Sequence, residues 1–242
     1  MSPSAAGAQW VDLDVTGERM PMFVARPGAA PRAGIIVIQE IFGVNADMQR
    51  VATLLAAAGY LAVAPAMFHR TDPDFDAEHD EAGIAKGRAA AGGLDLQQFV
   101  ADLTAAGGYL RDQLGAAAKI GTWGFCFGGS IAFLSATLPF VSAAVSFYGG
   151  QIARSASPNR PPLLEMAAHL RAPLLLAFGG RDPSISSDDV AAIRAALEAH
   201  AKPFDLIVYP DEDHAFFRGG PDGNDGSRDV WPRVQSFLAA NL

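Results

Sequence analysis

A chain of 242 residues, half of them hydrophobic, is long enough to fill the core of one large α/β domain and does not require a second. Its 18 Lys and Arg stand against 26 Asp and Glu, a formal charge of -8, and no block of consecutive basic residues occurs, which argues against nucleic acid and anionic membrane surfaces as partners. One cysteine rules out an intrachain disulfide, and the N-terminal MSPSAAGAQW has neither a basic nor an apolar leader region, so the expected location is the reducing cytoplasm. Net charge does not exclude a small anionic substrate, because one or two local arginines suffice to bind a carboxylate.

Gln9 to Val15 and Met20 to Arg26 alternate as strands do, with Gly17-Glu18 as the turn of an opening antiparallel hairpin. Beyond Pro27 to Pro31 short apolar runs alternate with helical stretches, the pattern of a parallel sheet with crossover helices. The expected sheet strands are Gly34 to Gln39, Tyr60 to Ala64, Lys119 to Trp123, Val141 to Tyr148, Pro173 to Phe178 and Phe204 to Tyr209. Helices are expected at Ala46 to Ala58, Ala82 to Ala91, Leu94 to Gln113, Ser130 to Thr137, Asp188 to His200 and Arg228 to Ala240. Ser187-Asp188 offers an N-cap, and Gly59 a C-terminal stop.

The run from Ile120 to Ala153 carries no charged side chain, which raises the question of a membrane span. Gly124, Gly128, Gly129, Pro139 and Gly149-Gly150 cut it at turn-like intervals, so it reads as strand, helix and strand of a sheet covered on both faces. With no internal repeat and no low-complexity linker, residues 1–242 are expected to form a single α/β domain with a mostly parallel central sheet and helices on both faces. Three polar loops follow strands, at Phe68 to Asp80, Gln151 to Pro162 and Pro210 to Asp225; ligands in such sheets bind beyond the carboxyl ends of strands.

Lys119 to Gly129 reads KIGTWGFCFGG, a strand running straight into GxCxGG. That is the nucleophile-elbow pattern with cysteine in place of serine, in which side chains at Gly124 and Gly128 would meet neighbouring backbone. Such a turn puts Cys126 at a helix N-terminus, where the dipole favours thiolate, and aims the Phe127 N–H at a developing oxyanion. A lone cysteine is otherwise most often a small buried hydrophobe, and the glycine frame is what decides against that. The GxGxxG and GKS/GKT patterns of a phosphate loop are absent.

In this fold the acid and then the histidine should follow the nucleophile along the chain, each after a later strand. LLLAF ends in Gly179-Gly180-Arg181-Asp182-Pro183, which exposes Asp182 just past a core strand; LIVY ends in PDEDHAFF, which puts His214 at the same edge. Asp211 and Asp213 are rivals to Asp182, but neighbours so near in sequence reach across the imidazole poorly. His69, His79, His169 and His200 lie in or beside polar or helical stretches and read as surface or structural.

With these residues assembled, the chain resembles the dienelactone hydrolase family from about Val11 to Leu242, through QEIFGVN at Gln39 to Asn45, GFCFGG at Gly124 to Gly129, GGRD at Gly179 to Asp182 and HAFFR at His214 to Arg218. The resemblance implies an α/β-hydrolase fold and a Cys126, His214, Asp182 triad. It also implies that Glu40 contacts the resting thiol and takes its proton when substrate binds, that the Ile41 N–H joins that of Phe127 in the oxyanion hole, and that Arg218 pairs with a substrate carboxylate. The family's second arginine falls in the Ala82 to Ala91 helix, where Lys86 and Arg88 are offered without a clear match. PAMFHR at Pro65 to Arg70 lacks the acidic and tyrosyl residues common there.

The expected reaction is hydrolysis of a lactone or activated ester through an acyl-thioenzyme, with no metal or organic cofactor. The expected partner is a small ester or lactone, carried by a monomer or small homo-oligomer. A broader carboxylesterase or thioesterase and a non-catalytic hydrolase-like binding protein are the competing readings.

Overall fold

The computed structural model describes residues 5–155 and 160–242. The expected loop from Gln151 to Pro162 therefore lies partly, at residues 156–159, outside the described residues, as do the first four residues of the chain. Packing divides the chain into two compact units, Met1–Ile120 and Gly121–Leu242.

In the first unit, β1 (Ala5–Val15) and β2 (Glu18–Pro27) form the expected antiparallel hairpin. Its turn is Thr16-Gly17, one residue earlier than the expected Gly17-Glu18, because Glu18 already pairs with Val15. Both turn residues have positive φ, 57° and 85°, the handedness that matches strand twist in two-residue hairpins. β2 continues antiparallel to β4 (Leu61–Pro65), which lies parallel to β3 (Gly34–Ile38), so the strand order is β1-β2-β4-β3. Every residue of β3 and β4 is buried, which is why both runs are apolar without alternation.

The helices of this unit start where a side chain caps them. Asn45 Oδ1 accepts the N–H groups of Asp47 and Met48 to open α1 (Ala46–Ala57), and Gly59 follows its end at φ +96°. Asp80 opens α2 (Glu81–Gly92). A reciprocal Asp95–Gln98 capping box opens α3 (Leu96–Leu114), two residues later than the expected Leu94. Buried Asp102 on α3 accepts from Arg70 Nη1 at 2.6 Å and lies 3.2 Å from His69 Nε2, so His69 has a structural place inside the unit.

In the second unit, β5 (Ile120–Phe125, all but its first residue in this unit), β6 (Val141–Phe147), β7 (Leu174–Gly179) and β8 (Phe204–Tyr209) follow in that spatial order, with β6, β7 and β8 parallel. α4 (Phe127–Ser135) begins three residues before the expected Ser130, because the turn from β5 is a single residue, Cys126. α5 (Ser187–Ala199) starts from a Ser186–Asp189 capping box, and α6 (Asp225–Asn241) from Asn224, whose side chain takes the Ser227 N–H. A short 3-10 helix at Leu164–His169 was not legible in the sequence.

The eight strands are mostly parallel and interleaved with helices, and the expected α/β class is borne out. The uncharged run resolves into β5, α4 and β6, with every residue of α4 buried; among the described residues no helix is long and apolar enough to cross a membrane. Around these elements Trp123 packs on Phe125, Phe147, Phe217 and Trp231, with the two indoles stacked at 5.8 Å.

The bend from β5 into α4 leaves no room at Gly124, where a Cβ would stand 1.9 Å from the Gly128 carbonyl oxygen. Gly124→Ala is expected to lower unfolding free energy by about 3 kcal/mol in urea denaturation. A loss under about 0.5 kcal/mol, the scale of a neutral surface change, would show that the bend relaxes freely.

Candidate active site

Cys126 is the N-cap of α4 and has φ +54° and ψ -113°. L-residues seldom adopt this conformation, at a cost of roughly 1–3 kcal/mol, and it persists only where the surroundings enforce it. Here Cys126 N–H donates to Phe147 O at 3.0 Å, and Cys126 O accepts from the N–H groups of Gly129 and Ser130. The side chain, half-buried, is thereby turned out of both strand and helix. The first N–H groups of a helix project along its axis, and Phe127 supplies the first of α4.

Asp182 stands three residues past the end of β7 and is almost wholly buried. Its Oδ1 accepts the Ser184 N–H at 2.7 Å, which fixes the carboxylate as an Asx turn, and its Oδ2 lies 2.6 Å from His214 Nδ1. The loops after β7 and β8 pass close enough for this contact because of Gly179: a Cβ there would meet the carbonyl oxygens of Glu212 and Asp213 at 2.5 Å. Arg181 N–H donates to Glu212 O, a further tie between the two loops. Asp211 and Asp213, the sequence rivals, are exposed and border Arg181.

His214 is bonded from two sides. Burial by itself disfavours the imidazolium, but hydrogen bonds to Asp182 and to Cys126, with the charges of both, outweigh it and raise the pKa to about 10. The Nδ1 contact with Asp182 leaves Nε2 for the sulfur side. The Tyr148 ring, fully buried and at φ +41°, tilts against the imidazole at 5.2 Å. Four residues on, Arg218 is half-buried and closes a backbone turn onto Ala215 O.

The remaining expected residues lie in the first unit. Glu40 is buried, forms an isolated bridge with Gly43, and its carboxylate is 3.9 Å from His79 Nε2; Ile41 beside it is half-buried. Lys86 on α2 donates to Asp76 O at 2.8 Å, lies 3.4 Å from Asp72 and sits over the Phe75 ring, while Arg88 is exposed. Among the described residues no group of three His, Cys, Asp or Glu side chains is placed to hold a metal ion.

The dienelactone hydrolase family model matches residues 20–242. The chain belongs to the dienelactone hydrolase family. A Salmonella typhimurium protein provisionally named carboxymethylenebutenolidase is 35% identical over 244 residues, covering 97% of this chain and 88% of that protein. A Synechocystis protein of the same provisional name is 33% identical over 211 residues, 86% of each. Among solved structures, a provisionally named dienelactone hydrolase from Klebsiella pneumoniae matches with TM-score 0.86 at 33% identity, over 96% of this chain and 98% of that one. The α/β-hydrolase fold expected from the motifs is borne out, and the protein is a hydrolase.

Three residues near these family motifs escaped the sequence reading. Tyr148, directly before Gly149-Gly150 at the end of β6, carried the same strand-end signal that marked Asp182. His79, read as surface or structural, owes its place beside Glu40 to folding of a loop that nothing local marks. Arg160 is buried in a stretch, NRPP, that reads as an ordinary polar loop.

The raised pKa of His214 carries a sign. Its stabilising contribution is complete below about pH 6.5, where the unfolded imidazole is also protonated, and is lost as pH rises through about 10. Asp182→Asn is expected to lower the His214 titration midpoint by at least about one unit in NMR, and the stability gap to wild type to narrow between pH 6.5 and 10. An unmoved midpoint would contradict the role of the 2.6 Å contact.

Proposed function

We propose that this hydrolase cleaves lactones or activated esters through Cys126, His214 and Asp182, by way of an acyl-thioenzyme. The observation that carries the reading is the double engagement of His214, with Asp182 on one ring nitrogen and the sulfur of Cys126 on its other side.

The sulfur attacks the carbonyl carbon, and the oxyanion is held by the N–H groups of Phe127 and, following the family resemblance, Ile41. The carbon–oxygen bond to the leaving group breaks, and His214 gives that oxygen its proton; in a lactone the freed oxygen stays tethered to the acyl part. Once sulfur is acylated, the anion that helped hold the proton on His214 has gone. The imidazole then serves as base, taking a proton from water as the water oxygen attacks the thioester, and the carbon–sulfur bond breaks to release acid and restore the thiolate. Asp182 keeps the tautomer and orientation throughout.

Following the resemblance, Glu40 receives the proton of a resting thiol, and Arg218 pairs with a substrate carboxylate. The names of the relatives denote a butenolide bearing a carboxymethylene group, which supports a carboxylate-bearing lactone as substrate. The family match runs through both units, which supports the single-domain reading of residues 1–242. One observation favours a broader carboxylesterase or thioesterase: of the two cations offered on α2, Lys86 is engaged by Asp72 and the Asp76 carbonyl, and Arg88 is exposed.

Cys126→Ala is expected to lower kcat/KM at least about 10³-fold for both dienelactone and 4-nitrophenyl acetate, and retention of activity within about tenfold would reject the mechanism. Arg218→Ala is expected to cut the preference for dienelactone over the neutral ester by about 10 to 100-fold; an unchanged preference favours the broader esterase.

A further inference from the structure

Arg160 is 5% exposed, yet among the described residues its guanidinium has no carboxylate partner. Arg70, a guanidinium that is also largely enclosed, is held by both Asp102 and Glu18. Among the described residues Arg160 has one side-chain hydrogen bond, from Nη1 to Gln151 Oε1 at 3.2 Å, and its Nε has no partner. A guanidinium offers five N–H donors, and of these the buried Nε–H is left without a partner among the described residues. Burial lowers its pKa, the mark of a cation withdrawn from water without an anion in exchange. Uncompensated buried charge is strongly unfavourable, and where it is retained it calls for an anion.

The position of this charge matters. The guanidinium carbon lies 5.7 Å from the centroid of the Phe127 ring, one residue after Cys126. Gln151, its hydrogen-bond partner, donates its own N–H to Ser130 Oγ, and Ser130 N–H donates to Cys126 O. Two independent contacts therefore tie the fork to the first turn of α4, the turn that presents the sulfur.

We infer that Arg160 is a substrate-binding residue that receives a carboxylate of the substrate beside the nucleophile's helix, and so selects anionic over neutral acyl compounds. The inference rests on the reading of Cys126 as nucleophile. A planar carboxylate suits the two parallel donors of a guanidinium, and an enclosed charge of this kind acts with little screening.

The test uses two haloacetyl probes of nearly equal size, one anionic and one neutral. Alkylation of Cys126 by iodoacetate and by iodoacetamide is timed by peptide mass analysis, each rate being divided by that of glutathione. In the wild type the iodoacetate-to-iodoacetamide ratio is expected to exceed the glutathione ratio by at least about tenfold, and in Arg160→Met to lose most of that advantage. Arg154→Met removes an exposed arginine paired with Asp189 in the same loop and is expected to leave the ratio unchanged. Arg160→Met is also expected to melt no lower than wild type, because it replaces an unpaired buried charge with an apolar chain. Arg160→Lys, which keeps a cation, is expected to hold an intermediate ratio.

An Arg160→Met ratio within about twofold of wild type, or a ratio in Arg160→Lys no better than that of glutathione, overturns the inference. So does failure of Arg160→Met to fold, which would mean that the guanidinium is already compensated structurally. A Cys126 inert to both reagents rejects the nucleophile reading, and this inference falls with it; a Cys126 that reacts with both reagents without anion preference rejects the role of Arg160 alone.

Discussion

The backbone at residue 126 must leave a strand and enter a helix within one residue, and an L-amino acid can do so only at a positive φ that it would otherwise avoid. Everything else about the second unit follows from holding that turn. Gly124 has to lack a side chain, Phe147 has to offer its carbonyl, and α4 has to begin at once, with an apolar sequence that keeps every residue buried. Strain of this kind is affordable because the aromatic cluster around Trp123 makes the end of β5 rigid.

The charges are arranged as carefully as the backbone. Asp182 and His214 reach each other from two parallel strand ends because paired glycines let one loop run over the other. The imidazole so held keeps its proton well above neutrality, because Asp182 on one side and the sulfur on the other both favour its charged form. Acylation of the sulfur removes one of those two supports, which is what would free the ring to act as a base. A cation left buried and unpaired next to the same helix turn is the opposite case, an energetic deficit carried by the folded protein until an anion arrives.

Much of this was legible in the residues. Wholly buried strands such as β4 and β7 announce themselves as short apolar runs, and GxCxGG declares its turn because glycine has no substitute there. Helix starts were read less well. The caps are single polar side chains, and Asp95 and Asn224 displaced the starts by two or three residues from where hydrophobic periodicity begins. The hairpin turn shifted for a similar reason, since Thr16 accepts a positive φ that its composition does not advertise. Residues that matter through long-range placement left no local trace: His79 meets Glu40 across 39 positions, and Arg160 differs from a solvated loop arginine only in what covers it.

The claim that acyl transfer passes through sulfur is tested most directly by acid-quenching the enzyme during turnover of 4-nitrophenyl acetate and mapping the acyl group by peptide mass analysis. The account predicts a burst of about one equivalent of nitrophenol and an acetyl group on the peptide that contains Cys126, released by hydroxylamine as a thioester should be. An acetyl group found on a different side chain, or steady turnover with no acylated peptide even when deacylation is slowed in acid, would contradict it.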